Sequence, residues 1–366
     1  MNKPLPAYQR IYTDIYNQIL SGKYRPHDQL PVEVVLCKEY GVSRITIQKA
    51  LQLLEDKEII IRIIGKGTFV ADANDKINVK KNRLIGVVLC NISASFGTEM
   101  LKAIERNASL NGYSIVFKNS NFSHELEQKA LKELISLNVA GLILQPTHGE
   151  TNNPELMNMT LAKKPIVLVD RNLTGLSCSF VGSDNYQATA KVMNYLFSCG
   201  HRNICFVCSD PHNTTSTEQR IEAFKSSFAS IGAPFKDHFI FSEIKSSLSL
   251  MDLENRKKED IENLKTYISS HPDITCYFAL EYTISTLIKR ALKELNIPSS
   301  KVSVVTFDYV SDPHVFTDTA YVKQYEDEIG FQAVRILINN MSGLDEGTKI
   351  YLPTEFVNMN SIIKIG

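Results

Sequence analysis

The sequence lacks the long apolar run that a membrane span requires, and no hydrophobic signal segment precedes its first helical pattern. It also lacks a P-loop, a dinucleotide-binding glycine fingerprint, a nucleophile elbow and a His-Glu-x-x-His motif, although His124, His148, His201 and His212 are available for chemistry. The chain also has no formal net charge at pH 7, because its 40 basic residues balance its 40 acidic ones. We therefore expect a cytoplasmic protein with no membrane partner, no catalytic residues and no cofactor.

The seven cysteines, an odd number in a chain of 366 residues, argue against a disulfide framework. Cys199, His201, Cys205 and Cys208 lie close enough in sequence to be considered as a metal site. However, Cys205 and Cys208 fall inside an apolar strand, where residues three apart point to opposite faces of the sheet. We expect buried free thiols and no metal.

The first 56 residues contain the pattern of three helices. Ile11, Ile15 and Ile19 recur at helical intervals, and a second short helix fits Val32 to Tyr40 before the turn at Gly41. Ser43 then begins a third helix as N-cap, with an apolar face formed by Ile47, Ala50, Leu51 and Leu54. The opposite face carries donors that can reach base edges or phosphates when a helix end lies in the major groove: Arg44, Thr46, Gln48 and Lys49.

A hairpin follows the third helix. Two β-branched stretches, 59–63 and 68–70, flank Gly65-Lys66-Gly67, which places Lys66 at the tip, near a phosphate or the minor groove. The ordered set of three helices and a hairpin predicts a winged helix-turn-helix that binds double-stranded DNA, with the third helix as the recognition helix.

Residues 1–71 resemble the DNA-binding domain of the GntR family, on Leu30-Pro31, Glu33, Gly41-Val42-Ser43-Arg44, Thr46, Ala50-Leu51 and Gly67-Thr68-Phe69-Val70. The resemblance implies operator contacts from Glu33, Arg44, Thr46 and the wing around Gly65 and Lys66. Two positions depart from the family pattern, because Val34 and Gln48 stand where many members carry arginine. Each change removes a bidentate guanine contact, and the Gln48 amide suits adenine, so we expect an operator shifted toward A·T pairs.

The charge and the pattern both change along the chain. Residues 1–71 hold ten basic and seven acidic residues, an excess of three, and the remainder holds 30 against 33. Because the DNA-binding end is only mildly basic, we expect affinity to come from a dimer and from base contacts. Residues 72–82 are polar without an apolar period, which indicates a linker.

From residue 83 onward, short apolar runs alternate with amphipathic helical stretches, which predicts two βαβ blocks and an α/β fold. The expected strands are 85–89, 114–117, 141–144, 166–169, 180–182, 204–207, 276–279 and 302–306. The expected helices are 98–111, 124–137, 157–162, 185–199, 219–231, 256–270 and 283–295.

Polar side chains follow the predicted strands at their carboxyl ends, where open α/β sheets bind ligands. They are Asn91, Ser95, Phe96, Asn119, Ser120, Gln145, Thr147, Asp170 and Arg171 in the first block, and Asp184, Asp210, Glu281 and Asp308 in the second. Amides, hydroxyls and carboxylates can bond sugar hydroxyls while an aromatic ring stacks on the sugar. Taken alone, each of these residues could equally well belong to a turn or a helix cap as to a ligand site. Only their collective placement predicts a sugar cleft.

Residues 83–366 resemble the effector domain of the LacI/GalR repressors, on Leu84-Ile85-Gly86-Val87-Val88, Gly141-Leu142-Ile143-Leu144, Val169-Asp170-Arg171, Gly200-His201-Arg202 and Val305-Thr306-Phe307-Asp308. The resemblance implies the two-subdomain fold of periplasmic sugar-binding proteins, with subdomain one at 83–181 and 324–350 and subdomain two at 182–323 and 351–366. It also implies ligand contacts from Phe96, from Arg220 at the start of a helix, from Asp308 and from Gln324. Glu281 stands where the family often uses asparagine.

A GntR-type head on a LacI-type effector domain resembles the L-arabinose repressors of Gram-positive bacteria, and Gln145-Pro146-Thr147 fits that group. We expect a dimeric repressor released from a pseudo-palindromic operator by a monosaccharide, with L-arabinose as the first candidate and another sugar or a sugar phosphate as alternatives. A sugar-binding transport component is the competing hypothesis from another class. The winged helix counts against it.

Overall fold

The structure is a computed structural model, and it describes residues 6–57, 59–63, 67–71, 83–90, 92–147, 153–173, 175–211, 214–247, 252–310, 319–344 and 347–365. The chain divides into two compact units, the head at Met1–Asn82 and the effector unit at Arg83–Gly366. The predicted linker, residues 72–82, lies outside the described residues.

The head contains three helices and a two-stranded hairpin. The helices are α1 (Ala7–Leu20), α2 (Glu33–Tyr40) and α3 (Arg44–Asp56), and the strands are β1 (Ile60–Ile63) and β2 (Gly67–Val70). The two strands are antiparallel, with Ile60 opposite Val70. Ile11, Ile15 and Leu51 are buried in the core between the helices, as the helical spacing predicts. The winged helix-turn-helix is confirmed.

Gly41 makes the turn between α2 and α3. Its φ of 64° is left-handed, and this conformation is unfavourable for any residue that has a Cβ atom. The N–H of Val42 then bonds the carbonyl of Cys37, which closes the end of α2. This turn sets α3 across α2.

The effector unit contains two six-stranded sheets. The strands of sheet one are β3 (Leu84–Leu89), β4 (Ser114–Asn119), β5 (Gly141–Leu144), β6 (Ile166–Val169), β7 (Ser179–Ser183) and β13 (Lys349–Leu352). Their order across the sheet is β4-β3-β5-β6-β7-β13, and every pair of neighbouring strands is parallel. Helices cover both faces: α4 (Thr98–Leu110) and α11 (Glu326–Met341) on one, α5 (His124–Ser136) and α6 (Pro154–Leu161) on the other.

The strands of sheet two are β8 (Ile204–Ser209), β9 (Ile240–Ile244), β10 (Cys276–Ala279), β11 (Ser303–Phe307), β12 (Ala320–Lys323) and β14 (Glu355–Val357). Their order across the sheet is β9-β8-β10-β11-β12-β14, and all neighbouring strands are parallel except β12 and β14. The helices packed on it are α7 (Asn185–Ser198), α8 (Thr215–Ser230), α9 (Leu253–Ser270) and α10 (Tyr282–Glu294). Continuous apolar strands such as Ile204–Ser209 are fully buried because helices cover both faces of the sheet.

The chain passes between the two sheets at three described points. It leaves sheet one at Asp184, returns at Gln324–Tyr325 and crosses again at 353–354. Residues 182–183 and 351–352 belong to strands of sheet one, so the expected boundaries after 181 and 350 each lie two residues too early, whereas the one after 323 agrees with the structure. The side chain of Gln324 therefore stands at a crossing, between the two subdomains.

Helices α4 and α11 approach each other closely at Gly330. A Cβ atom at this position would lie 2.5 Å from the Met100 carbonyl oxygen and 2.9 Å from the Ala103 Cβ atom. Only glycine fits between the two backbones.

Some elements were not predicted from the sequence, and others begin at a different residue than predicted. The elements that were not predicted are β9, β12, β13, β14 and α11. Helix α6 begins at Pro154, three residues before the expected start, because Asn153 caps it through its side chain. Helix α8 begins at Thr215, so Arg220 lies in its second turn and not at its start. In the described part of the chain, no helix has the length and apolar character needed to cross a membrane.

Candidate functional site

The candidate DNA-binding surface of the head is organised by Glu33, the first residue of α2. Its Oε2 atom accepts hydrogen bonds from Arg44 Nε at 2.6 Å and from Gln48 Nε2 at 3.1 Å. The hydrogen bond from Arg44 lowers the pKa of the Glu33 carboxyl group, which therefore stays ionised. Glu33 thus holds two predicted base-reading side chains of α3 in a fixed arrangement.

Besides Gln48, four predicted DNA-binding residues lie at the N-cap of α3 or on α3 itself: Ser43, Arg44, Thr46 and Lys49. Ser43 occupies the N-cap position of α3, but its hydroxyl lies 3.0 Å from the Thr46 hydroxyl and does not bond the helix backbone. The side chain of Arg44 is 70% exposed and Lys49 is also exposed. Gly65 and Lys66 lie outside the described residues. The positions of Ser43, Arg44, Thr46, Gln48 and Lys49 are thus compatible with the predicted operator contacts.

In the effector unit, a cavity of ≈ 680 Å³ lies between the carboxyl ends of the two sheets. All eight residues predicted to bind the ligand line it: Phe96, Gln145, Asp170, Arg171, Arg220, Glu281, Asp308 and Gln324. Ser95 and Asn119 line it too, whereas Ser120 and Thr147 bond each other and Asp184 caps α7. Asn91 lies outside the described residues.

Asp170 and Asp308 occupy matching positions in the two subdomains. Each directly follows a strand, β6 or β11, and each has a φ of 62°. Their N–H groups bond the neighbouring strands, at Val181 O (2.9 Å) and Val322 O (3.0 Å). This shared backbone turn carries both carboxyl groups off the ends of their sheets and into the cavity.

A glutamine amide holds each of these carboxyl groups. Gln145 Nε2 donates to Asp170 Oδ2 at 2.8 Å, and Gln324 Nε2 donates to Asp308 Oδ1 at 2.7 Å. Gln145 is itself fixed because its Oε1 atom accepts the N–H of Cys90. The Oε1 atom of Gln324 is buried without a partner in the structure. The cavity therefore has two carboxylate–amide pairs, the Gln145–Asp170 pair and the Gln324–Asp308 pair.

Arg220 is buried in the cavity wall and is held by three contacts. Its Nε atom donates to Asn185 Oδ1 at 2.8 Å and its Nη1 atom to the Leu280 carbonyl at 2.9 Å. The guanidinium carbon lies 3.6 Å from the centroid of the Phe307 ring, within cation–π range. Burial lowers the pKa of Arg220, but guanidinium remains protonated in proteins, so the cavity contains a fixed positive charge.

Arg171 lies on the opposite wall. Its Nη1 atom donates to the Thr147 carbonyl at 2.6 Å, and its guanidinium lies 5.8 Å from the Phe122 ring centroid. Its Nε atom is buried, lies 3.7 Å from Asp170 Oδ2 and makes no hydrogen bond in the structure. An unpartnered buried donor costs free energy, which a ligand oxygen can recover.

Burial changes the acidity of the carboxyl groups around the cavity. It raises the pKa of Asp308 to about 8, against the opposing effects of Arg220 and the Gln324 amide. It also raises the pKa of Glu281, whose Oε1 atom accepts a hydrogen bond from the Thr283 hydroxyl. Next to the cavity, burial raises the pKa of Glu326 to about 7, although Gly97 donates its N–H to that carboxyl group at 2.7 Å.

Sequence reasoning missed the outer wall of the cavity and the residues that position Arg220. Helix α9 contributes Leu253, Lys257 and Ile261, which are four residues apart and so share one helix face. Their spacing of four residues could have been used to predict that this helix face lines the cavity. No sequence signal connects Asn185 with Arg220, because the two lie on different helices, α7 and α8.

The cysteine and histidine cluster has a structural role in the described residues. Cys205 and Cys208 are completely buried, and burial raises the pKa of each thiol to about 12. The His201 ring instead bridges Thr275 Oγ1 at 2.8 Å and the Ile363 carbonyl at 2.9 Å. Among the residues that the structure describes, no group of three or more His, Cys, Asp or Glu side chains could hold a metal ion.

Comparison with known proteins gives two family matches. Residues 7–70 match bacterial regulatory proteins of the gntR family, and residues 85–345 match the periplasmic binding protein domain. The arabinose metabolism transcriptional repressor of Geobacillus stearothermophilus is 25% identical over 376 residues, which cover 99% of each chain.

Solved structures share the fold of the effector unit. A LacI family transcriptional regulator from Enterococcus faecium with bound ribose covers 77% of this chain and 100% of its own, with a TM-score of 0.64 and 18% identity. The transcription regulator CcpA of Lactococcus lactis covers 75% of this chain and 97% of its own, with a TM-score of 0.64 and 17% identity.

Proposed function

Because this chain belongs to the periplasmic binding protein domain family and begins with a gntR-family DNA-binding domain, we propose that it is a sugar-responsive transcriptional repressor. It would act as a homodimer on a pseudo-palindromic operator, in the cytoplasm, where the DNA lies. The proposal assigns it no catalysis and no cofactor. The same cavity on its own would suit a transport component, but a transport component has no use for a DNA-binding head.

The observation that carries the sugar part of the proposal is the presence of the two carboxylate–amide pairs in one cavity. The amide occupies one oxygen of each carboxyl group, which leaves the second oxygen for a ligand hydroxyl. The Arg171 Nε donor and the Gln324 Oε1 acceptor are also buried and unpartnered. A ligand with several hydroxyl groups, each both donor and acceptor, satisfies all of these atoms at once.

The first candidate effector is L-arabinose. The similarity to the Geobacillus stearothermophilus arabinose repressor extends over the whole chain, and the solved Enterococcus faecium neighbour holds ribose, also a pentose. Glu281, in place of the usual asparagine, adds a carboxyl group to the cavity wall. A different pentose, a hexose or a sugar phosphate therefore belongs in the same experiment.

The mechanism follows from the position of the cavity between two subdomains. A sugar that bonds both carboxylate–amide pairs stabilises the closed arrangement of the subdomains, which are joined at the three chain crossings. In the dimer, closure would change the spacing of the two recognition helices, which must lie about 34–36 Å apart to reach successive major grooves. Sugar binding would thereby weaken operator binding.

A thermal-shift screen of the full-length protein tests the proposal. The panel contains L-arabinose, other pentoses, hexoses and sugar phosphates, since a ligand that binds only the folded state raises the Tm by mass action. A selective rise with L-arabinose supports the first candidate, and a rise with another sugar supports the repressor and reassigns its effector. No rise with any compound contradicts the sugar site.

Isosteric variants assign that rise to the cavity. Asp170→Asn and Asp308→Asn should each remove most of the ligand-induced rise, because each replaces one carboxyl oxygen with an amide nitrogen, which cannot accept a hydrogen bond from a sugar hydroxyl. Asp327→Asn is the matched control, since Asp327 is exposed on α11, away from the cavity lining. A rise unchanged in both cavity variants would place the sugar elsewhere.

A further inference from the structure

The end of the head that carries Arg44 has an unusual amount of exposed apolar surface. Ile45, the second residue of α3, is 67% exposed, and Val34 on α2 is 61% exposed. Val32 and Val35 are exposed as well. A single exposed aliphatic side chain needs no explanation, but several on one small surface indicate an interaction site.

These apolar side chains flank the Glu33–Arg44 ion pair. Val34 follows Glu33 in α2 and Ile45 follows Arg44 in α3, and the 2.6 Å bond between Glu33 and Arg44 holds the two helix N-termini together. The recognition helix of a helix-turn-helix places its N-terminal residues against base edges. Ile45 therefore lies at the end of α3 that would face the bases, and Val34 lies next to Glu33, which binds that end.

The major groove offers one apolar group, the C5-methyl group of thymine. Cytosine has only a hydrogen at that position, so an aliphatic side chain favours thymine over cytosine by removing the methyl group from water. Polar donors such as Arg44 and Gln48 read the hydrogen-bonding groups of the bases but gain nothing from burying the methyl group. The two aliphatic side chains thus complement the hydrogen-bonding side chains held by Glu33.

We propose that Ile45 and Val34 are specificity-determining residues that read thymine methyl groups in each operator half-site. The inference rests on the proposed function, since it requires operator binding through α3. It adds a mode of recognition that the polar residues Arg44, Thr46 and Gln48 do not supply. It also predicts that an operator half-site contains thymines at two separate positions, one for each side chain.

The test removes single methyl groups from the DNA. An operator is first enriched from a random duplex pool with the full-length, sugar-free protein. Each thymine is then replaced by deoxyuridine, which keeps every hydrogen-bonding group and loses only the methyl, and the Kd is measured by fluorescence anisotropy. We expect the Kd to rise about fourfold per contacted methyl, equivalent to about 0.8 kcal/mol, and about sixteenfold when both half-sites are changed.

Variants connect each methyl group to a side chain. Ile45→Ala should bring the uracil-to-thymine Kd ratio to about one at one position, and Val34→Ala should do so at another. Leu20→Ala is the matched control, because Leu20 is also 67% exposed but lies at the end of α1. Leu20→Ala should keep the uracil-to-thymine Kd ratio of the unaltered protein at both positions.

Two results would overturn the inference while leaving operator binding intact. In the first, the uracil-to-thymine Kd ratio of the unaltered protein is near one at every thymine. In the second, both Ile45→Ala and Val34→Ala keep the Kd ratio of the unaltered protein. A pool from which no sequence is enriched would contradict the proposed function, and this inference with it.

Discussion

At the scale of single residues, Arg220 connects several parts of the cavity wall. It bonds Asn185 on α7 and the carbonyl of Leu280 after β10, and it covers the Phe307 ring at the end of β11. It also opposes the effect of burial on Asp308. One side chain therefore links three elements of subdomain two to the surface that a sugar would contact.

Replacing Arg220 should separate sugar response from DNA binding. We expect Arg220→Met, which keeps the length of the side chain but removes its charge and donors, to lose the sugar-dependent change in operator Kd. Operator binding without sugar should stay within about twofold, because the head is a separate compact unit.

The matched control for Arg220 is Lys225→Met, a cation removed from the exposed face of the same helix, α8. Fluorescence anisotropy with and without the effector gives both quantities. A normal sugar response in Arg220→Met would show that the guanidinium does not bind the ligand.

The raised pKa of Asp308 predicts a pH-dependent stability. Its carboxyl group has a pKa of about 8 when folded and about 3.9 when unfolded, so the folded state retains a proton that the unfolded chain releases. The stability that Asp308 contributes is therefore fully present below about pH 4 and is lost as the pH rises toward 8. Asp308→Asn removes this titration.

Differential scanning calorimetry between pH 5 and pH 8.5, at constant ionic strength, measures the effect. The Tm of the effector unit should fall by several degrees more in the unaltered protein than in Asp308→Asn over this range. Asp327→Asn should follow the unaltered protein. Parallel curves for the unaltered protein and Asp308→Asn would contradict the assigned protonation of Asp308.

At the scale of elements, the contact between α4 and α11 depends on Gly330. Glycine in a helix interior normally destabilises it, so Gly→Ala at an exposed helical site gains about 1 kcal/mol. Here the added Cβ atom would meet the Met100 carbonyl at 2.5 Å, which is a backbone atom. We expect Gly330→Ala to destabilise the effector unit by about 1–3 kcal/mol, because α11 must move away from α4.

Urea unfolding monitored by circular dichroism checks the sign of this change. The head transition provides an internal reference, since Gly330 belongs to the other compact unit. An increase in the stability of the effector unit would mean that the helices can separate without cost.

The elements that sequence reasoning recovered are those with strong local patterns. Strands such as Gly141–Leu144 and Ile166–Val169 are short, apolar and bounded by turns, and the observed ranges equal the expected ones. The strands that it missed near the crossings, such as Glu355–Val357, are only three or four residues long. Their places depend on which sheet the chain joins, and local composition does not determine this.

The residues of the site could also be predicted from the sequence only in part. Residues at strand ends could be predicted to gather, because parallel strands end at one edge of a sheet. Their pairing could not, since Gln145–Asp170 and Gln324–Asp308 depend on strand order. The contact between Gly97 and Glu326, 229 residues apart, is equally invisible in a single sequence.

At the scale of the whole molecule, the proposed function requires coupling between two separate units. Typical allosteric coupling free energies of about 1–3 kcal/mol correspond to changes in affinity of about 5–150-fold. We expect saturating effector to raise the operator Kd by a factor in this range. By reciprocity, operator DNA should raise the effector Kd by the same factor.

Two titrations on one sample test this equality. Anisotropy gives the operator Kd with and without effector, and calorimetry gives the effector Kd with and without operator. Factors that differ beyond error would contradict a simple two-state linkage. Equal factors of one would mean that the sugar does not control DNA binding.

The hydrogen bond that the His201 ring donates to the Ile363 carbonyl has a consequence for the protein as it is made on the ribosome. The head has all of its strands once Val70 has emerged, whereas sheet two cannot gain β14 or the His201 contact until residues 355–363 are available. At about 5–20 residues per second, roughly 15–60 s separate the two events. Each nascent chain therefore has a complete winged helix-turn-helix well before the sheets of its effector unit are complete.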